Sequence, residues 1–572
     1  MRILGISCYF HDAAAALLVD GAIAAAAQEE RFSRRKHDPS FPRRAIEFCL
    51  RHAGLRASDL DRVVYFEKPF LKLERLLLST LATWPRSRRL FSESMLSFVG
   101  DKLWIRRLIE TELGISPLKI LFCEHHLSHA ASCFLVSPFP DAAILTVDGV
   151  GEWTTTSIAV GRGSQIELLD EIRFPHSLGL LYSAFTAFLG FDVNEGEYKV
   201  MGMAPFGVPR FMDEVRRLIR FHADGSFDLD LSYFSFQHST QSTYSRKFQQ
   251  LFGDPRQPGA EFDPAEPAAR RYADIAASIQ AVIEEAILQL ACRARERTGI
   301  NRLCLAGGVA LNSAANGRLL REAGFDDIYI QPAAGDSGGA LGAALYGWHM
   351  VENRPRGAIL DRADLGEALP DAARCLDAAG VAYRRMPEQR LTDEVVSRLA
   401  SGKVVGWVQG RFEWGPRSLG QRSILADPRR TDMRDHVNAA IKFRETFRPF
   451  APSVLAHRAE EFFDLPDARR LYPARFMLYV VPVHERCRSE IPAVTHVDGT
   501  ARPQVVHSAT SPLYHALISR FEECTGVPAL LNTSFNLRGE PIVASPSDAL
   551  STFERSGLDA LVIDDCLIDK PR

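Results

Sequence analysis

The chain contains 572 residues, and at about 100 to 200 residues per domain this length predicts two to four compact units. A composition of 46% hydrophobic and 24% charged residues is typical of globular proteins and excludes disordered, collagenous and coiled-coil classes. The 68 Lys and Arg residues nearly balance the 71 Asp and Glu residues, so the net charge of −3 calls for neither a nucleic acid nor an anionic membrane as partner. Ten scattered cysteines, no signal-peptide core and no run of ~18 apolar residues together predict a cytoplasmic protein.

Two stretches of the N-terminal half share one order of predicted elements. The first has a short strand, a polar loop with His11 and Asp12, a second strand, an Asp20-Gly21 turn and a third strand. The same order recurs from 143 to 172, and helical sequence follows each copy. This weak internal repeat predicts an α/β region made of two related halves that face each other across a cleft.

The elements become less regular between about 355 and 387, where Asp, Arg and Pro are frequent, and a new strand begins at Val404. We therefore place a domain boundary there, which gives domains 1-355 and 356-572. A helical insertion from 68 to 107 is rich in Arg and Lys. It is either a solvated amphipathic helix pair or a substrate lid.

Two histidines and two aspartates are candidate metal ligands. His125 and His129 are four residues apart in a predicted helix, so both imidazoles can reach one ion. Asp148 and Asp336 each follow a predicted strand and are expected to face the cleft. This set suits iron(II), manganese(II) or zinc(II) better than copper(I) or an iron–sulfur cluster. Taken singly, the His pair also fits a surface or core position, and each aspartate also fits a turn or a helix cap.

Loops that bear glycines join a strand to a helix at 306 to 312 and at 334 to 339, where backbone N–H groups can bind an anion. The pair Gly307-Gly308 would let a nucleotide approach the backbone, but tight packing of a strand on a helix explains it equally well. Lys199 lies among carboxylates in a polar loop that either faces the same cleft or is a structural turn.

Basic residues concentrate between Arg411 and Arg448, where nine basic and five acidic residues occur. Guanidinium groups bind phosphate oxygens in pairs and hold one geometry, so this stretch predicts an anion site. Interleaved phenylalanines imply partial burial, and a solvated basic face is the alternative. The residues that would form such a phosphate or carbonyl pocket are Arg417, Arg422, Lys442, Arg444, Arg448, Arg502, Ser534 and Asn536.

Together these motifs resemble the O-carbamoyltransferases of the NodU and CmcH type, and the resemblance covers nearly the whole chain. It implies an α/β protein with an N-terminal duplicated actin-like ATPase (ASKHA) fold and a C-terminal YrdC-like α/β domain. The motifs that carry it are His11-Asp12, Glu29-Glu30-Arg31-Phe32, His125 with His129, Val147-Asp148-Gly149, Lys199-Val200-Met201-Gly202, Gly307-Gly308-Val309-Ala310-Leu311-Asn312, Gly335-Asp336-Ser337-Gly338, Gly415-Pro416-Arg417-Ser418-Leu419-Gly420, Phe447-Arg448-Pro449-Phe450-Ala451-Pro452 and Leu531-Asn532-Thr533-Ser534-Phe535-Asn536.

The resemblance also implies roles for individual residues. His11 and Lys36 would be catalytic, near the acceptor hydroxyl or the leaving group. The metal ligands would be His125, His129, Asp148 and Asp336, with iron(II) as the expected ion and zinc or manganese as alternatives. The nucleotide-binding residues would be Lys199, Gly307, Gly308, Asn312 and Gly335. The carbamoyl phosphate and ATP site would be lined by Arg417, Lys442, Arg448, Arg502, Ser534 and Asn536.

The implied reaction has two stages. In the C-terminal domain, carbamoyl phosphate and ATP, the latter with magnesium, would give carbamoyl adenylate. In the N-terminal domain the carbamoyl group would pass to a hydroxyl of a natural product or sugar, as in antibiotic biosynthesis, with His11 as the base. Acceptor contacts are expected from 68 to 107 and from Phe227 to Gln257. No nucleic acid or membrane partner is expected, and a homodimer is left open.

Two other functions compete with this reading. An actin-like phosphotransferase or chaperone ATPase would need no second anion site, so the basic stretch argues against it. A tRNA-modifying transferase of the threonylcarbamoyl type is disfavoured by the near-neutral charge.

Overall fold

The computed structural model describes residues 1–100, 102–263, 266–357, 359–445 and 447–570. The chain forms two compact units, the first from Met1–Ala26 with Pro39–Ile359 and the second from Ala27–Asp38 with Leu360–Arg572. The long part of the second unit begins inside the stretch of less regular sequence. The short N-terminal part has no counterpart in the sequence-based division.

The first unit contains two five-stranded sheets within the described residues, and a two-stranded hairpin lies apart from them. In chain order its strands are β1 (Arg2–Ser7), β2 (Ala14–Val19), β3 (Ala22–Gln28), β4 (Arg62–Tyr65), β5 (Ile120–Phe122), β6 (Asp141–Val147), β7 (Thr154–Arg162), β8 (Gln165–Arg173), β9 (Ile219–Phe221), β10 (Phe227–Leu229), β11 (Arg302–Ala306) and β12 (Asp327–Ile330).

The two sheets have the same strand order and the same strand directions. One runs β3-β2-β1-β4-β5, and the other, read in the matching direction, runs β8-β7-β6-β11-β12. In the first sheet β1 is antiparallel to β2 and parallel to β4, and β4 is parallel to β5. In the second sheet β6 is antiparallel to β7 and parallel to β11, and β11 is parallel to β12. Each sheet also contains an antiparallel hairpin. Strands β2 and β3 are joined by a two-residue turn, and β7 pairs with β8. This identity of topology confirms the internal repeat and the duplicated α/β fold of the N-terminal half.

The α-helices of this half, in chain order, are α1 (Glu30–Ser33, in the second unit), α2 (Arg43–His52), α3 (Pro69–Thr83), α4 (Arg88–Gly100), α5 (Ile105–Leu113), α6 (His125–Phe134), α7 (Leu178–Phe188), α8 (Glu197–Met203), α9 (Met212–Arg216), α10 (Arg246–Phe252), α11 (Pro267–Thr298), α12 (Ser313–Glu322) and α13 (Asp336–Tyr346). Part of α11, Ala269–Thr298, is long and apolar enough to cross a membrane. It is mostly buried inside the unit, and core helices of soluble proteins can have the same length and apolar composition.

Helices α6 and α13 occupy equivalent places in the two halves, because each follows the last strand of its sheet. They pack directly on each other. A Cβ at Gly342 of α13 would lie 1.8 Å from the backbone oxygen of Ser128 in α6, so only glycine permits this approach. A Cβ at Gly5 of β1 would lie 1.9 Å from the backbone oxygen of Ala340 in α13. The two halves therefore meet through backbone contacts around α13.

The second unit is built on an eight-stranded mixed sheet of order β13-β22-β21-β14-β15-β20-β16-β19, with β17 and β18 as a separate pair. Its strands are β13 (Arg384–Arg385), β14 (Val405–Val408), β15 (Arg422–Ala426), β16 (Ala451–Leu455), β17 (Val481–Pro482), β18 (Thr500–Ala501), β19 (Gln504–Val506), β20 (Ala529–Ser534), β21 (Ala560–Ile563) and β22 (Cys566–Asp569). Its remaining α-helices are α14 (Ala372–Ala378), α15 (Glu388–Ala400), α16 (Met433–His436), α17 (Ala459–Phe462), α18 (Tyr472–Arg475), α19 (Pro512–Thr525) and α20 (Pro546–Arg555). The unit is α/β, as expected.

Candidate functional site

The four predicted metal ligands of the first unit come together. The Nε2 atoms of His125 and His129 are 3.0 Å apart, and His125 Nε2 lies 3.1 Å from Asp148 Oδ2. Asp336 Oδ1 lies 3.7 Å from His125 Nε2 and 3.8 Å from His129 Nε2. All four side chains are buried. The two histidines project from α6, Asp336 begins α13 and Asp148 follows β6, so the cluster lies where the two halves meet.

The distances fit a single bound cation. Ligand bonds of about 2.1 Å in a four-coordinate site require ligand atoms roughly 3.4 Å apart. The measured separations run from 3.0 to 3.8 Å, and one ligand atom from each residue lies within 4.8 Å of every other. The second carboxylate oxygen of Asp336 is buried and has no hydrogen-bond partner among the described residues. The donor set is one that iron(II), manganese(II) and zinc(II) accept.

The electrostatics of the cluster favour a positive charge between the carboxylates. Burial opposes a charge on His125, but its hydrogen bond to Asp148 and the charge of Asp336 raise the His125 pKa to about 9. Burial also opposes the charge of Asp148, yet the two histidines hold its pKa well below the usual range. For Asp336 burial dominates and raises the pKa.

Two contacts outside the ligand set hold the ligands in place. Glu152 is buried, and its carboxylate accepts hydrogen bonds from the backbone N–H of His125 at 3.0 Å and of Lys68 at 2.8 Å. It thereby fixes the first turn of α6. The N–H of Gly308 donates to Asp148 Oδ1 at 2.8 Å. Second-shell hydrogen bonds of this kind orient metal ligands.

His11 is half-buried, with Nδ1 3.0 Å from Asp12 Oδ2 and Nε2 2.9 Å from the carbonyl oxygen of Asn194. Burial opposes its charge, but the hydrogen bond and charge of Asp12, together with the charge of Asp336, raise its pKa to about 9. The raised pKa favours the protonated imidazole. The role of His11 as a base stays a prediction.

Among the predicted nucleotide-binding residues of the first unit, Gly308 contacts Asp148 and Gly335 directly precedes Asp336. A Cβ at Gly307, where φ is +93°, would lie 2.2 Å from the carbonyl oxygen of Val147, so tight packing on β6 accounts for this glycine. Asn312 caps α12 and exchanges hydrogen bonds with Gln280. Gly335 precedes α13 and has open space at its Cβ position, and Lys199 lies in α8.

The second unit gathers three guanidinium groups around that of Arg502. Burial lowers the pKa of Arg502 far below its usual value, and the like charges of Arg417, Arg444 and Arg448 lower it further. The buried Nε of Arg502 has no hydrogen-bond partner among the described residues. Like charges brought together at low exposure favour an anion between them, and phosphate matches the geometry of guanidinium groups. Arg422, in contrast, is fully buried and donates to the backbone carbonyls of Gly410, Gln421 and Ala544.

The loop that carries Arg417 is held by buried side chains. Oε1 of Glu413 accepts the backbone N–H groups of Leu419 at 2.7 Å, Gln421 at 2.8 Å and Arg422 at 3.2 Å. Two other side chains donate to the loop carbonyls, Gln504 to Leu419 at 2.8 Å and Asn532 to Ser418 at 3.2 Å. These contacts fix the backbone that directly follows Arg417.

Lys442, Ser534 and Asn536 also meet. The Nζ of Lys442 lies 2.8 Å from the carbonyl oxygens of Ser534 and Asn536 and 2.7 Å from Asn536 Oδ1. Burial, with the charges of Arg444, Arg448 and Lys36, holds the pKa of Lys442 well below its usual value. These contacts use the donors of Lys442, so it holds the end of β20 beside the arginines.

The segment Ala27–Asp38 brings further basic residues to the second unit. Arg31 donates to the carbonyl oxygen of Gly415 at 2.8 Å, and Arg34 donates to those of Ile542 and Pro541. Lys36, predicted to be catalytic together with His11, belongs to this segment and lies near Lys442. His11 belongs to the first unit.

Two positioning residues were absent from the sequence-based candidates, Glu152 and Glu413. Each is a buried carboxylate that accepts two or more backbone N–H groups. Both stand in glycine-bearing loops next to a predicted site residue, which is a weak signal. Nothing in their spacing distinguishes them from solvated carboxylates.

Two family models match the chain. The one described as carbamoyltransferase N-terminus covers residues 2–345, and the one described as carbamoyltransferase C-terminus covers residues 396–570. The uncharacterized protein sll1178 of Synechocystis sp. is 46% identical over 100% of this chain and 97% of its own. The nodulation protein NolNO of Sinorhizobium fredii is 42% identical over 98% of this chain and 79% of its own. The 3'-hydroxymethylcephem-O-carbamoyltransferase of Amycolatopsis lactamdurans is 35% identical over 46% of this chain and 48% of its own.

Proposed function

The chain belongs to the carbamoyltransferase family, and from this premise we propose that it uses carbamoyl phosphate and ATP to carbamoylate a hydroxyl group of a small molecule. The observation that carries the proposal is the group of four arginines that Arg502 forms with Arg417, Arg444 and Arg448 in the second unit. A carbamoyl donor that bears phosphate, together with ATP, supplies the anions that such a group requires. The name of the cephem relative, an O-carbamoyltransferase, agrees with a hydroxyl acceptor.

In the first stage, the second unit converts the two phosphate compounds into carbamoyl adenylate. Carbamoyl phosphate reacts with water to give carbamate and phosphate, and a carbamate oxygen then attacks the α-phosphorus of ATP. The bond from the α-phosphorus to the bridging oxygen breaks, and pyrophosphate leaves. Arg417, Arg444, Arg448 and Arg502 hold the phosphate oxygens and neutralise the charge that collects on them. A magnesium ion accompanies the ATP.

In the second stage, the first unit passes the carbamoyl group to the acceptor. The acceptor oxygen attacks the carbamoyl carbon, the bond to the AMP oxygen breaks, and AMP and one proton are released. A divalent ion held by His125, His129, Asp148 and Asp336, with iron(II) as our first choice, would supply Lewis-acid stabilisation of the charge on the carbonyl oxygen. The positive charge of His11 is suited to stabilise the charge that develops on the departing AMP oxygen.

Release of pyrophosphate tests the first stage. We expect it to require both ATP and carbamoyl phosphate and to be lost in Arg417→Ala. Arg374→Ala, at an exposed arginine outside the anion site, is the matched control and should keep the wild-type rate. Equal release of pyrophosphate without carbamoyl phosphate would overturn the proposal.

The acceptor can be sought with labelled carbamoyl phosphate. We expect the label to enter a natural-product or sugar hydroxyl and form a carbamate ester. A panel that includes amines and tRNA tests the competing classes in the same assay. Label found in tRNA, and not in any alcohol, would replace the proposed acceptor class.

A further inference from the structure

The segment from Pro69 to Trp104 exposes an unusual amount of apolar surface. Of fifteen large hydrophobic side chains that are exposed in the described part of the chain, seven lie within these 36 positions. Phe70, Leu81 and Leu96 are at least 70% exposed. The full set is Phe70, Leu77, Leu78, Leu81, Trp84, Leu96 and Trp104. Scattered exposed apolar residues are normal, but a concentration such as this marks an interaction surface.

Helix α3 has the reverse of the usual polarity for a surface helix. Phe70, Leu77 and Leu81 lie on one face by helical spacing, and Trp84 continues that face at the end of the helix. This face is exposed, whereas Lys72 is buried and forms an ion pair with buried Glu67 at 2.6 Å. A helix in contact with water alone buries its apolar face and exposes its charges. The exposed face of α3 is therefore apolar and suited to contact with an apolar partner.

The same segment is strongly basic. Residues 68 to 107 contain nine Lys or Arg and three Asp or Glu, a net charge of +6 by sequence in a chain whose total is −3. Two glutamates outside this range pair with Lys68 and Lys72, which leaves a net charge of +4. Arg86, Arg88 and Arg89 are exposed directly after Trp84. The net charge of the whole chain does not indicate a membrane partner, but this segment carries a local excess of positive charge.

We propose that α3, α4 and the turn between them bind the surface of a membrane rich in anionic lipid. Leu, Phe and Trp side chains would enter the boundary between head groups and acyl chains, and the exposed arginines would contact lipid phosphates. Contact with a second copy through the same face would bring two positively charged segments together, so charge disfavours it. An acidic protein would satisfy the arginines, but it would not account for exposed leucines on a face whose lysine is turned inward.

This surface is linked to the metal cluster. The N–H of Lys68, directly before α3, and the N–H of His125 share the carboxylate of Glu152. Trp153, the next residue, donates to Glu74 of α3 at 3.3 Å. A membrane bound by α3 would therefore lie on the same side of the first unit as the start of α6. The proposal does not depend on the carbamoyl chemistry.

Co-sedimentation of the full chain with vesicles tests the proposal. We expect binding to phosphatidylcholine vesicles that contain 30% phosphatidylglycerol, little binding to phosphatidylcholine alone, and weaker binding as salt is raised. Absence of binding to the anionic vesicles at low salt would overturn the proposal. Equal binding to both kinds of vesicle would also overturn it, because the arginines would then have no part.

Matched variants separate the two contributions. The charge variant, R86S/R88S/R89S, should lower the partition coefficient on the order of 100-fold, at about 1 kcal/mol per basic residue. The apolar variant, F70S/L81S/W84S, should lower it about tenfold or more. The control, L118S/L168S/V208S, alters exposed apolar residues elsewhere and should bind as the wild type does.

All of these positions are exposed, so circular dichroism melting should show each variant folded as the wild type is. Wild-type vesicle binding by the charge and apolar variants would contradict the proposal. The wild type could instead fail to bind vesicles and form a dimer in gel filtration that the apolar variant disrupts. That result would show that the partner of this surface is a second copy of the chain and not a membrane.

Discussion

Replacement of Gly342 by alanine tests whether the contact between α6 and α13 sets the geometry of the metal cluster. A Cβ at this position would lie 1.8 Å from the backbone oxygen of Ser128, which stands between His125 and His129 in α6. Ordinary contact is about 3.4 Å, so the helices would have to separate by roughly 1.6 Å. The separation of Asp336 from the histidines, 3.7 and 3.8 Å, would then widen to as much as about 5.4 Å.

A shift of this size exceeds the tolerance of about 0.5 Å within which a site keeps its function. We expect the Gly342→Ala protein to be less stable by about 1–3 kcal/mol and to bind iron(II), manganese(II) or zinc(II) at least tenfold more weakly, by order of magnitude. Anaerobic metal titration measures the affinity, and thermal melting measures the stability. Gly100→Ala, where a Cβ meets nothing within 4 Å, is the control. Wild-type metal affinity in folded Gly342→Ala would refute the reasoning.

Three further predictions concern residues around the two sites. Glu152→Ala removes the acceptor of the N–H groups of His125 and Lys68, so metal affinity should fall about 10–100-fold in a metal titration, and an unchanged value would deny Glu152 its positioning role. Glu413→Ala releases three N–H groups of the loop that carries Arg417. The KM for carbamoyl phosphate in pyrophosphate release should therefore rise about tenfold or more. A change in kcat alone would contradict a role of Glu413 in positioning Arg417. His11 is protonated below its raised pKa of about 9 and loses that charge above it. Carbamoyl transfer by the wild type should therefore fall above about pH 9, and the His11→Asn protein should not show this fall. A rise with a midpoint near 6.5 would show that neutral imidazole acts as a base.

The sequence predicts those parts of the site that follow from periodicity. The spacing of His125 and His129 places both on one face of a helix, and Asp148 and Asp336 follow buried strands. The repeated order of strands and turns predicts the duplicated sheets. Such signals are local, and the structure reproduces them because a strand or helix presents its side chains at fixed intervals.

Other features depend on contacts between distant parts of the chain, and periodicity carries no information about them. Arg31 contacts the carbonyl oxygen of Gly415, 384 residues away, and this places its segment in the second unit. Glu413 and Glu152 act by accepting backbone N–H groups, which any carboxylate can do. The sequence of α3 allows a solvated helix or a substrate lid, and its spacing does not indicate that Lys72 is buried against Glu67.

The central claim is that the His125, His129, Asp148 and Asp336 cluster acts in series with the arginine site of the second unit. The most direct test measures pyrophosphate release and transfer of labelled carbamoyl group side by side in Asp148→Ala, with an acceptor from the alcohol screen. We predict that Asp148→Ala releases pyrophosphate from ATP and carbamoyl phosphate at the wild-type rate but transfers no label. Loss of both activities in the folded variant, or transfer at the wild-type rate, would contradict the division of the two stages between the two units.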